Sequence, residues 1–166
     1  LKFGNPLDES SDYASMASTE LKEILAGQVK KSLEGGANIL WSDNKAPYEG
    51  SFYNPTIITG ITPGMPAHEE ELFGPVASVF KVKNASEAIE QANNSEFGLG
   101  ASIWSQDIDR VQKIARDIES GVVYVNGLVA SRPEIPFGGI KKSGYGRELA
   151  HLGIREFVNQ KTILIK

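Results

Sequence analysis

From Thr19 onward, the apolar residues Leu21, Ile24, Leu25, Val29 and Leu33 recur at steps of three and four, the stripe of an amphipathic helix. Gly35-Gly36 is placed to stop it. Ala37–Trp41 then reads as a strand, and residues 42–51 as a polar, turn-prone stretch. Thr56–Thr59 is a short β-branched strand ended by Gly60. Before all of these, residues 1–18 are rich in Ser and Asp and predict an irregular lead-in.

The second half carries the clearest pattern. Val76 to Val82 alternates as a strand. Ala85, Ala88, Ile89 and Ala92 mark a helix capped by Asn84 or Ser86. Leu99–Trp104 is a strand, and Ile108, Val111, Ala115 and Ile118 mark a second helix with Gly121 placed to end it. Val122–Val125 has the look of a buried strand. This β-α-β-α-β order predicts an α/β fold with a largely parallel sheet flanked by helices, joined by right-handed crossovers. Periodicity then fails. Residues 127–146 hold five Gly and two Pro, a loop long enough to suggest a functional role. A short helix around Arg147–Ile154 follows, and Phe157–Ile165 reads as a terminal strand with no evident partner.

The remaining bulk properties are those of an ordinary globular chain: 166 residues, 40% hydrophobic and 23% charged. A net charge of −4 without a basic block argues against a nucleic-acid surface. No apolar run approaches the roughly 20 residues that cross a bilayer. With no Cys, disulfides and thiolate metal sites are excluded, and no metal site is expected. The opening residues Leu1–Pro6 lack both a starting Met and the apolar stretch of a signal peptide. The expectation is a piece of a longer cytoplasmic protein.

Two constellations could carry chemistry. In Glu70-Glu71-Leu72-Phe73-Gly74-Pro75, Glu71 and Phe73 stand two apart, on one side of an extended backbone. A carboxylate accepts two hydrogen bonds from a ribose diol, and an aromatic face packs on a flat ring. Taken alone, Glu69–Glu71 could equally be a solvated charge run and Phe73 a core residue. The second constellation, Pro136–Glu148, matches neither the dinucleotide fingerprint, since Leu149 stands where a third Gly would be needed, nor a P-loop. On its own it could be a glycine-rich turn before a helix. His68 and His151 are isolated, and Arg147 with Glu148 reads as a helix-start pair.

These stretches, in order, resemble the aldehyde dehydrogenase family. Gly4-Asn5-Pro6, Asn54-Pro55-Thr56, Glu70–Val76, Asn93-Asn94 with Phe97-Gly98-Leu99, Gly121-Val122 with Val125-Asn126, Phe137–Glu148 and Lys161-Thr162 all fall in family order. The run from Asn126-Gly127 through Ala130-Ser131 to Phe137–Gly144 is most similar to bacterial succinate-semialdehyde dehydrogenases. The chain departs from the family at Ala14-Ser15-Met16, where Gly-Pro is common, and at Ala150, where Gly is common. The first departure weakens any cofactor contact near Glu20 and Lys22.

The resemblance implies an NAD- or NADP-dependent oxidation of an aldehyde to an acid by a homodimer or homotetramer. The steps are thiolate addition, hydride transfer and thioester hydrolysis. It implies that residues 1–155 are the C-terminal portion of the catalytic domain and residues 156–166 an oligomerisation arm. The cofactor-binding domain, the nucleophilic Cys, the general base and the oxyanion-stabilising Asn would all lie upstream. No residue here is then catalytic, and the isolated chain is expected to be inactive. Glu71 would hold the nicotinamide ribose and Phe73 would support the ring. Phe137 would wall the aldehyde tunnel, and Gly127–Pro133 would be the substrate-anchor loop. There Ser131 and Arg132 would suit a substrate with a distal carboxylate, because Arg pairs bidentately with carboxylates; the alternative is an Arg132 that points to solvent. A general or glutarate-type semialdehyde enzyme, and a non-catalytic module of this fold, are the other readings. The terminal strand would pair with a partner subunit or, alternatively, with its own sheet.

Overall fold

Ser18 opens helix α1 (Thr19–Glu34) by accepting the Leu21 N–H on its hydroxyl at 3.2 Å, a bond that satisfies one of the helix's otherwise unpaired donors. Leu25, 1% exposed, and Val29 face inward, while Ile24 of the same predicted stripe is exposed. Full burial of a side chain such as Leu25 stabilises by about 2 kcal/mol. The helix ends through Gly35 and Gly36; Gly36 has φ +109°, a conformation that a side chain would strain. The computed structural model describes residues 1–45 and 50–166, so part of the polar stretch expected over 42–51 lies outside the described residues. The chain divides into two units, residues 1–81 and 82–166.

In the first unit, β1 (Asn38–Ser42), β2 (Thr56–Thr59) and β3 (Val76–Ser78) form one sheet in the order β1-β2-β3. β1 and β2 are antiparallel, with a shift in register between Ile39 and Trp41. β2 and β3 are parallel, with Thr56 opposite Val76. Between them lies the one-turn helix α2 (Pro66–Glu69), which has proline at its first position, where a missing N–H costs nothing. The core gathers Ala37, Ile58, Ile61, Met65 and Ala67, with Leu33, Leu72, Val76 and Phe80 packed against it. The lead-in is tied by a Phe3–Tyr13 bridge and by edge-on ring contacts of Phe3 with Tyr13 and Phe52.

In the second unit, Asn84 caps α3 (Ala85–Asn93) by accepting the Glu87 N–H at 3.0 Å, and Glu87 reaches back to the Lys83 N–H at 2.7 Å. β4 (Phe97–Gly98) leads into β5 (Gly100–Ile103), and Asp107 caps α4 (Ile108–Asp117). β6 (Val122–Val125) lies parallel to β5, with Gly100 opposite Val122. α4 presents Val111, 1% exposed, as its buried residue. β7 (Ile140–Lys141) pairs antiparallel with β4, and α5 (Ala150–Arg155) closes the unit.

The fold is therefore α/β with partly parallel sheets. Of the parallel pairings expected among these strands, β5 with β6 is formed; β3 instead runs parallel to β2, and among the described residues the strands fall into three small sheets. Periodicity identifies a strand and says nothing of the edge it pairs on. Three local expectations also shift. α4 stops at Asp117, with Ile118 already extended, so Gly121 is not its cap. The last helix starts at Ala150 rather than Arg147, because Glu148 is engaged in a backbone bridge to Phe137 that a helix would forbid. Residues 156–166 are exposed and enter no β ladder among the described residues; extended backbone needs a neighbouring strand to become a sheet. Among the described residues, no helix is long and apolar enough to cross a membrane.

Candidate functional site

The Glu69-Glu70-Glu71 run is not one uniform solvated patch. Glu69 Oε1 accepts the Gly64 N–H at 2.9 Å. That bond first, and His68 second, hold its carboxyl below the usual carboxylate range. Glu70 Oε2 accepts from the Gln28 side-chain amide at 2.8 Å. The Glu71 carboxylate is exposed and makes no hydrogen bond or ion pair among the described residues. Three consecutive carboxylates thus divide into two structural acceptors and one with all its lone pairs open.

Two residues on, Phe73 is 64% exposed. It borders an apolar cleft of about 270 Å³ lined also by Met16, Ala17, Leu21 and Gly74. Gly74 sits close to the ends of two apolar side chains: a Cβ there would meet Leu25 Cδ2 at 2.5 Å and Met16 Cε at 3.1 Å, so Leu25 and Met16 would have to shift. The chain turns through short Gly74 N–H to Leu72 C=O and Val76 N–H to Gly74 C=O bonds, of 2.9 and 2.8 Å, and so delivers β3 directly behind the Glu71–Phe73 segment.

In the second unit, the long loop starts from a fixed point. Asn126, in the left-handed region at φ +53°, exchanges side-chain hydrogen bonds with the Ser105 backbone, both at 2.9 Å. Tyr124 Oη donates to the Ala130 carbonyl at 2.9 Å and holds the stretch just ahead of Ser131. Ser131 and Arg132 are both exposed, and neither side chain is engaged among the described residues. The backbone beside them is held: Ile135 N–H donates to Arg132 C=O and Ala150 N–H to Pro133 C=O.

Phe137 is half-buried and lines a separate cleft of about 670 Å³, together with Leu99, Tyr145, Arg147 and Phe157. Ser131 and Arg132 do not line that cleft. The five expected site residues are therefore distributed: Glu71 and Phe73 together in the first unit, Ser131 beside Arg132 in the second, and Phe137 on its own cleft there.

The glycines of this region serve backbone-on-backbone packing. A Cβ on Gly121 would overlap the Gly138 carbonyl, and one on Gly138 would overlap the Gly146 carbonyl. Arg147 Nη1 spans the same layer, donating to the Gly139 and Gly146 carbonyls at 2.8 Å each. Lys141 ties β7 to the ends of both helices, through the Asn93 and Ser95 carbonyls and Glu119 Oε2.

His68 lies on the edge of Phe80. Its Nδ1 is 3.0 Å from Glu69 Oε1, close enough for an ion pair but unaligned for a hydrogen bond. His151 is exposed. Sequence reasoning missed Gln28, Tyr124 and Asn126 as residues that hold the candidate site. Asn126 stood in a recognisable dipeptide, whereas nothing local marks Gln28, whose partners lie 42 and 43 residues away.

The sequence profile of the aldehyde dehydrogenase family matches residues 1–163. The chain is similar to a succinate semialdehyde dehydrogenase [NAD(P)+] of Escherichia coli, at 44% identity over 98% of this chain and 35% of that relative. A succinate-semialdehyde dehydrogenase [NADP(+)] of Mycobacterium avium is also 44% identical, over 99% of this chain and 35% of its own length. Among solved structures, succinic semialdehyde dehydrogenase from Streptococcus pyogenes in complex with NADP+ superposes with a TM-score of 0.93 at 41% identity, covering 99% of this chain and 36% of that one. Betaine aldehyde dehydrogenase from Staphylococcus aureus in complex with NAD+ superposes with a TM-score of 0.87 at 32% identity, over 94% of this chain and 32% of that one. The chain thus spans about a third of the length of the relatives it matches. A profile match over nearly every residue, with that fold, places this chain in the aldehyde dehydrogenase family.

Proposed function

We propose that this chain is the part of an NAD- or NADP-dependent aldehyde dehydrogenase that clamps the nicotinamide ribose and walls the aldehyde tunnel, and that the whole enzyme oxidises succinate semialdehyde to succinate. The observation that carries the reading is the open Glu71 carboxylate two residues from the exposed face of Phe73. A carboxylate with free lone pairs beside an uncovered aromatic ring fits a ribose diol and a flat ring. Glu71 and Phe73 would hold the nicotinamide end of the cofactor, which would supply the hydride acceptor for oxidation of the aldehyde. Glu71 orients the ribose by accepting its hydroxyls, and Phe73 limits how far the ring can swing. The relatives' dependence on NADP+ or NAD(P)+ supports this cofactor class.

Succinate semialdehyde ends in a carboxylate. Arg132, unengaged and next to the Ser131 hydroxyl, is a fitting partner for it, and the Tyr124–Ala130 bond keeps that loop in place. Phe137 supplies apolar wall to the tunnel. The nucleophilic thiolate is contributed from outside this chain, which has no cysteine, so the 166 residues alone turn over no aldehyde. Residues 156–166 act as an arm that pairs with a partner subunit.

The test is the dissociation constant of NAD(P)+ for the intact enzyme carrying Glu71→Gln. Loss of charge-assisted acceptance should weaken cofactor binding about tenfold or more. An unchanged constant contradicts the clamp.

A further inference from the structure

Residues on one face of α1 grip both ends of α2. Ser32, fully buried, accepts the Ala67 N–H on its hydroxyl at 3.0 Å and donates to the Gln28 carbonyl at 2.9 Å. One turn earlier, the Gln28 amide uses both of its protons on the segment that leaves α2: one on Glu70 Oε2 at 2.8 Å, the other on the Glu71 carbonyl at 3.2 Å. The start of α2 and the backbone of Glu71 are thereby fixed to the same helix.

We propose that Gln28 is a positioning residue for the cofactor clamp; the proposal rests on Glu71 being the residue that grips the ribose. Gln28 touches neither cofactor nor substrate. It acts in two ways. Its bond to the Glu71 carbonyl sets the peptide that carries the clamp side chain. Its bond to Glu70 draws the neighbouring carboxylate back onto α1, so that only Glu71 is presented outward. A free Glu70 would compete for the same space and add a second negative charge beside a cofactor that already carries phosphates. Pre-setting the backbone also removes the ordering cost that a loose 70–73 segment would charge against binding.

The experiment uses the intact enzyme with Gln28→Met, a side chain of similar length with no donor. Cofactor dissociation constants are measured by calorimetry, alongside kcat and the KM of each substrate. The expected result is about a five- to tenfold rise in the cofactor dissociation constant and cofactor KM, the scale of the neutral amide–carbonyl bond to Glu71 that is lost. Aldehyde KM and kcat at saturating cofactor should stay within about twofold, a split that general destabilisation does not produce. In a Glu71→Ala background the Gln28→Met change should add nothing further, because its effect passes through Glu71. Should Gln28→Met fail to fold, Gln28→Leu removes the same two donors without placing a second charge against Glu70.

An unchanged cofactor constant, or a full additive loss in the double variant, overturns the proposal. If Glu71→Ala alone leaves cofactor binding intact, the clamp reading fails and the Gln28 role with it. If Glu71→Ala weakens binding while Gln28→Met does not, only the positioning role fails.

Discussion

Phe137 and Glu148 exchange both of their backbone hydrogen bonds, Phe137 N–H to Glu148 C=O at 2.9 Å and Glu148 N–H to Phe137 C=O at 2.7 Å. This pinch closes residues 138–147 into a loop whose ends are fixed. Within it, Arg147 donates to the Gly139 and Gly146 carbonyls and staples the layer from inside. The aromatic side chain proposed to wall the aldehyde tunnel thus stands on a braced frame.

Gly121→Ala should break that frame from beneath. Its added Cβ falls on the Gly138 carbonyl, and backbone cannot step aside as a flexible side chain can. Overpacking of this kind costs about 1–3 kcal/mol or more. In the intact enzyme the expected outcome is a lowered thermal midpoint and a raised aldehyde KM. Wild-type values for both would contradict the packing account.

Arg132→Met tests the substrate assignment. If the guanidinium pairs with the distal carboxylate, kcat/KM for succinate semialdehyde should fall by about tenfold to a hundredfold, the range of hydrogen bonds to charged groups. A neutral aldehyde of similar length should be nearly unaffected. Equal losses on both substrates would remove Arg132 from specificity and leave a general aldehyde enzyme as the better reading.

Glu69 gives a pH dependence of stability. Its folded-state carboxyl lies below the ordinary value of 4.5, chiefly through the Gly64 N–H, with His68 adding to the effect. The ionised form therefore favours folding. That contribution is present above pH about 4.5 and is lost as pH falls through the lower folded-state value. Thermal melts of the parent and of Glu69→Gln should differ at pH 6 and converge toward pH 3. Parallel curves across that range would mean that ionisation of Glu69 contributes nothing to folding.

Residues 156–166 carry Phe157, Val158, Ile163, Leu164 and Ile165 into solvent without a sheet partner among the described residues. Truncation of the intact enzyme after Arg155 should lower its oligomeric state as read by light scattering. An unchanged mass would refute the arm.

What the sequence disclosed follows from the range over which each feature acts. α1, α3, α4 and the β2 and β6 strands are written in local periodicity and caps, and Thr56–Thr59 and Val122–Val125 appear with the bounds expected of them. Which strands pair is a long-range outcome, so the division into three small sheets had no local signal. Gly121 shows the same limit. Its position after a helix suggested a cap, whereas its reason lies 17 residues away, at Gly138. The Glu71–Phe73 pair was visible as a motif. The division of labour among Glu69, Glu70 and Glu71 was not, because it depends on Gly64 and Gln28.

The decisive measurement is a crystal structure of the intact enzyme with NAD(P)+ bound. The Glu71 carboxylate should lie within about 3 Å of the nicotinamide ribose hydroxyls, with Phe73 against the nicotinamide end of the cofactor. A ribose held by other groups, with Glu71 still facing solvent, would contradict the clamp.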